Sequence, residues 1–315
     1  MNRLRSIFTL VLMVLVCQMT ISQPFLHVND DKIKSIVPED AKIEKIGSGF
    51  QFTEGPVWSP EGFLLFTDIP ANRIYKWSPE GQVEVYMEPT GNANGLMFDN
   101  NGDLFMCQHS QRQIARDNKA GGFDPISDNF ARKRFNSPND LDIRSDGIIY
   151  FTDPPWGLRE GVNDPAKELP FQGVFMYKKG EAYLLDSTLS MPNGIILSPN
   201  EKYLYVANHN LQTHEKQWFR YKVKKDGTIK DREIFADASK SEEDGSPDGM
   251  TVDNDGNLYF TGPGGVLVYD PSGTWLGLIR FPENPANCCL GGPEGRTLFA
   301  TARTSVYMIK LNVNK

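Results

Sequence analysis

Six times along this chain, about 40 to 55 residues apart, an acid or amide opens a short apolar run: Glu54, Asn94, Asn139, Asn193, Asp248 and Asn287. Two further features keep step. Eight residues after five of these openers stands a glycine (Gly62, Gly102, Gly147, Gly256, Gly295); after Asn193 that place is taken by Glu201. Twelve residues after each opener comes Phe66, Met106, Phe151, Tyr205, Phe260 or Phe299. A repeat of this length, with two strands and a turn per unit, is the mark of a β-propeller blade.

Within each unit the opener leads into an apolar strand, as in Gly55 to Trp58 or Gly249 to Val252. A polar turn follows, such as Ser59-Pro60-Glu61-Gly62 or Asp253-Asn254-Asp255-Gly256, and such clusters between β runs are hairpin signals. The second strand is rich in Leu, Ile, Tyr and Phe. Third and fourth strands read clearly in places, as in 73–77 and 83–87. The expected architecture is therefore all-β, a six-bladed propeller over 41–315. Its last blade runs out of chain after its third strand, so a strand from 41–52 is expected to pair there, closing the ring and covering an edge.

If each opener starts the innermost strand of its blade, all six face the central channel. The second strand returns to the same face, which puts Asp68, Gln108, His109, Asp153, Asn208, His209 and Arg303 near the channel mouth. Long connections at roughly 109–135, 153–172 and 208–218 are expected to roof that face, and loops gathered on one face of a rigid scaffold commonly carry function.

Four openers form a distinctive donor set: Glu54, Asn139, Asn193 and Asp248 offer two carboxylates and two amide oxygens. Calcium takes six to eight oxygens, so four leave room for water and substrate. Asn-Gly and Asp-Gly at strand starts are also ordinary turn residues. As a converging set that includes two acids, they are expected to hold a divalent cation, because neighbouring buried carboxylates need a cation or a proton. Among the four histidines, His109 and His209 both fall at second-strand ends, where a neutral imidazole could move a proton. Gly245-Ser246-Pro247-Asp248-Gly249 lacks the spacing of a serine nucleophile elbow. No dense Cys/His cluster suggests zinc.

The N-terminus reads separately. Arg3 and Arg5 precede a nearly all-apolar run from Ile7 to Met19, and Thr20-Ile21-Ser22 ends it. This pattern is a cleavable export signal over 1–22, with 23–40 as an N-terminal extension. A secreted or periplasmic protein is expected; Cys17 leaves a lipoprotein as the lesser alternative. Removing the leader removes two arginines and no acids, so the net charge moves from −7 to −9. Such an acidic protein suits neither nucleic acid nor an anionic membrane. Cys107, Cys288 and Cys289 remain, an odd number that makes no disulfide framework; small apolar filling inside strands is expected, with a bridge from Cys107 to one of the pair as the alternative.

Phe135-Asn136-Ser137-Pro138-Asn139-Asp140, together with Tyr150-Phe151-Thr152-Asp153-Pro154-Pro155-Trp156-Gly157-Leu158, resembles the gluconolactonase branch of the senescence marker protein (regucalcin)/gluconolactonase family. Glu54-Gly55-Pro56, Pro192-Asn193-Gly194 and Pro247-Asp248-Gly249-Met250 are similar to its other hallmark segments. The resemblance implies a six-bladed propeller with one divalent cation in the channel, usually Ca2+, with Mg2+, Mn2+ or Zn2+ as alternatives. It places Glu54, Asn193 and Asp248 on the metal ligands and Asn139 on a further ligand or substrate-contacting amide. His109 matches a histidine near the substrate, and Asp153 a channel acid. Asn94 is expected to contact substrate as well.

The reaction expected is metal-assisted hydrolysis of a sugar lactone or related cyclic ester, with Asp248, or His109 through a water, accepting a proton. The small-molecule substrate would be a lactone or sugar acid. A phosphotriesterase on the same cation and a secreted non-catalytic sugar- or protein-binding propeller are the alternatives.

Overall fold

The computed structural model describes residues 25–210 and 212–313. The expected leader over 1–22, with Cys17, lies outside them. The described chain is built almost wholly of antiparallel strands arranged as six blades. Blade one is Thr53–Trp58, Leu64–Asp68, Arg73–Trp77 and Val83–Met87, paired in that order. Blade two is Ala93–Phe98, Leu104–Gln108, Gln113–Asp117 and Phe123–Ser127. Blades three and four follow with four strands each, starting at Leu141–Ile143 and Pro192–Leu197. Blade five starts at Met250–Val252. Its outermost strand, Trp275–Ile279, carries one more strand, Leu26–Val28, on its edge. In blade six, Asn287–Gly291, Thr297–Ala302 and Ser305–Lys310 are completed by Glu44–Ser48, antiparallel to Ser305–Lys310.

Each blade buries one face against the next, so the core is six separate apolar layers. Val57 and Leu65 of blade one meet Leu96 and Met106 of blade two. Phe151 and Phe175 of blade three stack at 5.3 Å in the layer facing blade two. The ring is continuous, because Leu64 and Phe66 of blade one share a cluster with Cys289 and Phe299 of blade six. Trp58 stacks on Phe299 across that seam at 5.4 Å. The residue twelve places after each opener, aromatic in five blades and Met106 in blade two, is thus the blade's core-filling residue. Cys107 and Cys288 serve the same purpose in two different layers and form no disulfide.

The glycine eight residues after the opener closes the first hairpin with a positive φ: 91° at Gly62, 78° at Gly102, 87° at Gly147, 83° at Gly256 and 68° at Gly295. Glu201 adopts the same left-handed conformation, φ 54°. Residues 33–36 form a short helical turn whose Ile33 and Ile36, with Val37, fill the layer between blades five and six.

Candidate active site

The innermost strands approach one another so closely that only glycine fits after several openers. A Cβ on Gly194 would lie 2.2 Å from the carbonyl oxygen of Asp248 in the next blade, and one on Gly249 1.9 Å from Cγ of Asn287. Hydrogen bonds tie the same strands. Gly95 N–H donates to the Asn139 carbonyl at 2.8 Å. The hydroxyls of Thr67 and Thr152 donate to the carbonyls of Asn94 and Asn193 in the following blades. At Glu54, Asn94 and Asn193 the pairing with the second strand breaks register. Such irregularities turn a side chain out of the pleat, here towards the axis.

The result is a cavity of about 480 Å³ at one mouth of the channel. Glu54, Asn94, His109, Asn139, Asn193 and Asp248 all line it, beside Phe52, Ile69, Pro70, Trp156, His209, Ser246 and Pro247. Six of the expected site residues are therefore brought together.

Asp153 sits elsewhere. It is fully buried, and its two carboxylate oxygens accept the N–H groups of Asn136 and Ser137, each at 2.8 Å. Asp68, at the same offset in blade one, accepts the N–H groups of Gln51 and Phe52 in the same way. The acid expected against substrate thus holds the segment entering an innermost strand.

Two acids that sequence reasoning did not single out support the floor. Asp140 accepts from Leu141 N–H at 3.0 Å and also from Ile195 N–H. Asp142 accepts from Ile143 N–H at 2.8 Å and Leu197 N–H at 2.7 Å. Together they brace alternate residues of the strand that presents Asn193. Their spacing, one and three residues after Asn139, was the available signal. Asn287, the sixth opener, lies lower in the channel, where its amide donates to Glu54.

Electrostatics mark the same place. Burial pushes the Glu54 carboxyl up to about 7, against hydrogen bonds from Gly55 N–H (2.9 Å) and Asn287. Asp248 is raised well above the usual carboxylate range by burial, then by the charges of Glu54 and Asp140. Hydrogen bonds from Asn193 and Gly249 N–H only partly offset this. Burial alone lowers His109 to about 4, so its imidazole is neutral at neutral pH. Its Nε2 lies 3.4 Å from Asn94 Nδ2. His209 is also lowered, by burial and then by Lys216 and His214.

The fit to a cation turns on one atom. The amide nitrogen of Asn193 is spent on Asp248, while its Oδ1 is buried with no hydrogen-bond partner. A buried carbonyl oxygen without a donor is costly unless something electropositive meets it. Two crowded carboxylates beside it ask for the same thing. Among the described residues no three His, Cys, Asp or Glu side chains stand together as a metal cluster. A cation here would therefore rest on a mixed carboxylate and amide set, the chemistry of a hard ion.

An all-β ring with an acid-and-amide cluster at its axis defines the class, a propeller with a channel-mouth site. The SMP-30/Gluconolactonase/LRE-like region matches residues 52–304, and the chain belongs to that family. It is 36% identical over 306 residues to a gluconolactonase of Zymomonas mobilis, covering 89% of this chain and 84% of that one. A pentonolactonase of Haloferax volcanii is 26% identical over 264 residues, covering 79% and 80%. The structure of a gluconolactonase from Xanthomonas campestris superposes with a TM-score of 0.81 at 30% identity, covering 91% of this chain and 94% of that one.

Proposed function

We propose that this protein is a lactonase that hydrolyses a sugar lactone at the channel mouth, using a divalent cation held by Glu54, Asn139, Asn193 and Asp248. The observation that carries the reading is the meeting of those four with Asn94 and His109 in one cavity, with Asn193 Oδ1 left open. Calcium fits this oxygen set best; Mg2+, Mn2+ or Zn2+ would meet the same ligands. When bound, the cation supplies polarisation of the lactone carbonyl and stabilisation of the negative charge that develops on its oxygen.

The chain's own residues do the rest. The Asp248 carboxylate accepts a proton from the attacking water. As the acyl C–O bond breaks, that proton goes to the departing ring oxygen, giving the open hydroxy acid. Asn94 and the neutral His109 offer a hydrogen-bond donor and acceptor to the substrate's hydroxyls. Asp153 acts indirectly, by holding the 135–139 segment that presents Asn139.

The test is lactone hydrolysis followed by pH-stat, with and without chelator, for wild type, Glu54→Gln and Asp248→Asn. Loss of one charged group at a developing oxyanion typically costs about 100-fold or more, and that is the loss expected in kcat/KM. Full activity in chelator, or in both variants, would refute the metal role. We further propose export, with a mature N-terminus at Gln23; intact-mass analysis of the protein recovered from its native host checks it.

A further inference from the structure

Trp156 is a large aromatic left 42% exposed at the mouth of the reaction cavity. It is not on a loose loop. The Ser137 hydroxyl donates to the Pro154 carbonyl at 2.7 Å and accepts Gly157 N–H at 2.8 Å, pinning the residues on both sides of the indole. Gly157 lies flat on the site, where a Cβ would come 2.6 Å from the Cβ of His109. The far end of the same connection is held by Arg112, whose Nη1 donates to the Ala166 carbonyl at 2.9 Å. Holding a tryptophan with two-fifths of its surface open beside a polar site forgoes part of the burial that the side chain would otherwise gain.

The cavity is two-sided. Phe52, Ile69, Pro70 and Trp156 supply apolar wall, while the openers and His109 supply polar floor. None of its lining residues is Lys or Arg. The two carboxylates, Glu54 and Asp248, match a divalent cation charge for charge. No positive charge is left over for an anionic substituent, and phosphate recognition ordinarily uses arginine, lysine or clustered N–H groups.

We infer that Trp156 is the platform on which the substrate ring lays its C–H face, and that with Phe52, Ile69 and Pro70 it restricts the site to uncharged lactones. This rests on the lactonase reading. The polar edge of the ring then faces Asn94 and His109, and a phosphorylated lactone would carry its charge onto an apolar wall. The contact is remote from the breaking bond, so it is made equally in the bound substrate and the transition state. Its loss shows in KM.

The experiment compares wild type, Trp156→Ala, Trp156→Phe and Pro70→Arg. Substrates are glucono-1,5-lactone and the same lactone phosphorylated at its terminal hydroxyl. Calorimetry with the corresponding unreactive lactam, on calcium-loaded protein, reads binding without turnover. Trp156→Ala is expected to raise KM and weaken lactam binding about tenfold, the order expected for losing one apolar contact, with kcat within twofold. Trp156→Phe should recover most of both. Wild type should prefer the neutral lactone by 100-fold or more, and Pro70→Arg should narrow that ratio at least tenfold. An unchanged KM and lactam affinity in Trp156→Ala, or equal use of the two lactones by wild type, overturns the inference while leaving lactonase activity standing. No turnover of any lactone by wild type overturns the lactonase reading itself, and absence of lactam binding as well removes the platform with it.

Discussion

Glu201 keeps a glycine's backbone without being a glycine, and its side chain explains why. A left-handed φ costs an L-residue roughly 1–2 kcal/mol. Glu201 offsets that by accepting Ser145 N–H at 2.7 Å through Oε1 and the Ser145 hydroxyl at 2.8 Å through Oε2. The exception thus joins the hairpin of blade four to that of blade three. Glu201→Ala keeps the strain and loses both bonds, so it should destabilise by about 1–3 kcal/mol. Glu201→Gly loses the bonds but also the strain, and should fall within about 1 kcal/mol of wild type. Urea unfolding of the three proteins measures both. The same repeat brings the openers together, because equal offsets in a propeller become equal places in space: five of the six line one cavity, and His109, at the end of a second strand, joins them. Asp153 was misplaced for a related reason. Its offset from Asn139 equals that of Asp68 from Glu54, and an acid recurring at a structural offset is serving the repeat. Asp140 and Asp142 show only their two-residue spacing in the sequence, because their partners are backbone N–H groups, those of Leu141 and Ile143 beside them and of Ile195 and Leu197 in the next blade, which leave no trace in side-chain chemistry.

The connections into the innermost strands are the elements on which the site depends. Asp153→Ala would strip two buried N–H groups of their acceptor, each costing about 1–3 kcal/mol, and would free the segment carrying Asn139. Hydrogen exchange should rise at Asn136 and Ser137, and kcat/KM should fall with it. Slow exchange there in the variant would show that the segment is held by something else. A similar acid clamps blade six. Glu283 accepts from Thr304 N–H, the Thr304 and Ser305 hydroxyls and Tyr307 Oη. Partial burial pushes its carboxyl up, but these bonds outweigh burial and hold it at about 2, below the ordinary 4.5. A depressed carboxylate stabilises the fold fully above its unfolded value and loses that contribution as pH falls from about 4.5 towards 2. Glu283→Gln should therefore lower stability at pH 7 by about 1–3 kcal/mol and flatten the decline between pH 5 and 2. A wild-type acid profile unchanged by the substitution would remove Glu283 from it. The Glu283 clamp is not legible in the sequence, since it and the residues it holds lie some twenty positions apart with no repeat linking them.

At the scale of the whole ring, stability is shared among six layers, and one of them borrows side chains from outside the repeat. Ile33, Ile36 and Val37 are buried against Tyr259 and Val266 of blade five and Leu290 and Ile309 of blade six. Leu26–Val28 covers the edge of blade five a few residues earlier. Composition could not reveal this, because 23–40 has neither an opener nor the hairpin spacing. Burying each of the three aliphatics contributes roughly 1.5–3 kcal/mol, an upper bound because the unfolded chain already hides some apolar surface. Removing 25–40 uncovers that layer and bares the outer strand of blade five, while leaving Glu44–Ser48 to complete blade six. The shortened protein should melt about 10 °C or more below one beginning at Gln23 and should associate through the exposed strand. The channel-mouth residues belong to the repeat and keep their supports, so well below its melting point the shortened protein should hydrolyse lactone with unchanged KM. Scanning calorimetry, light scattering and kinetics at low temperature separate these effects. A melting point that does not move would mean that the layer between blades five and six closes without the segment.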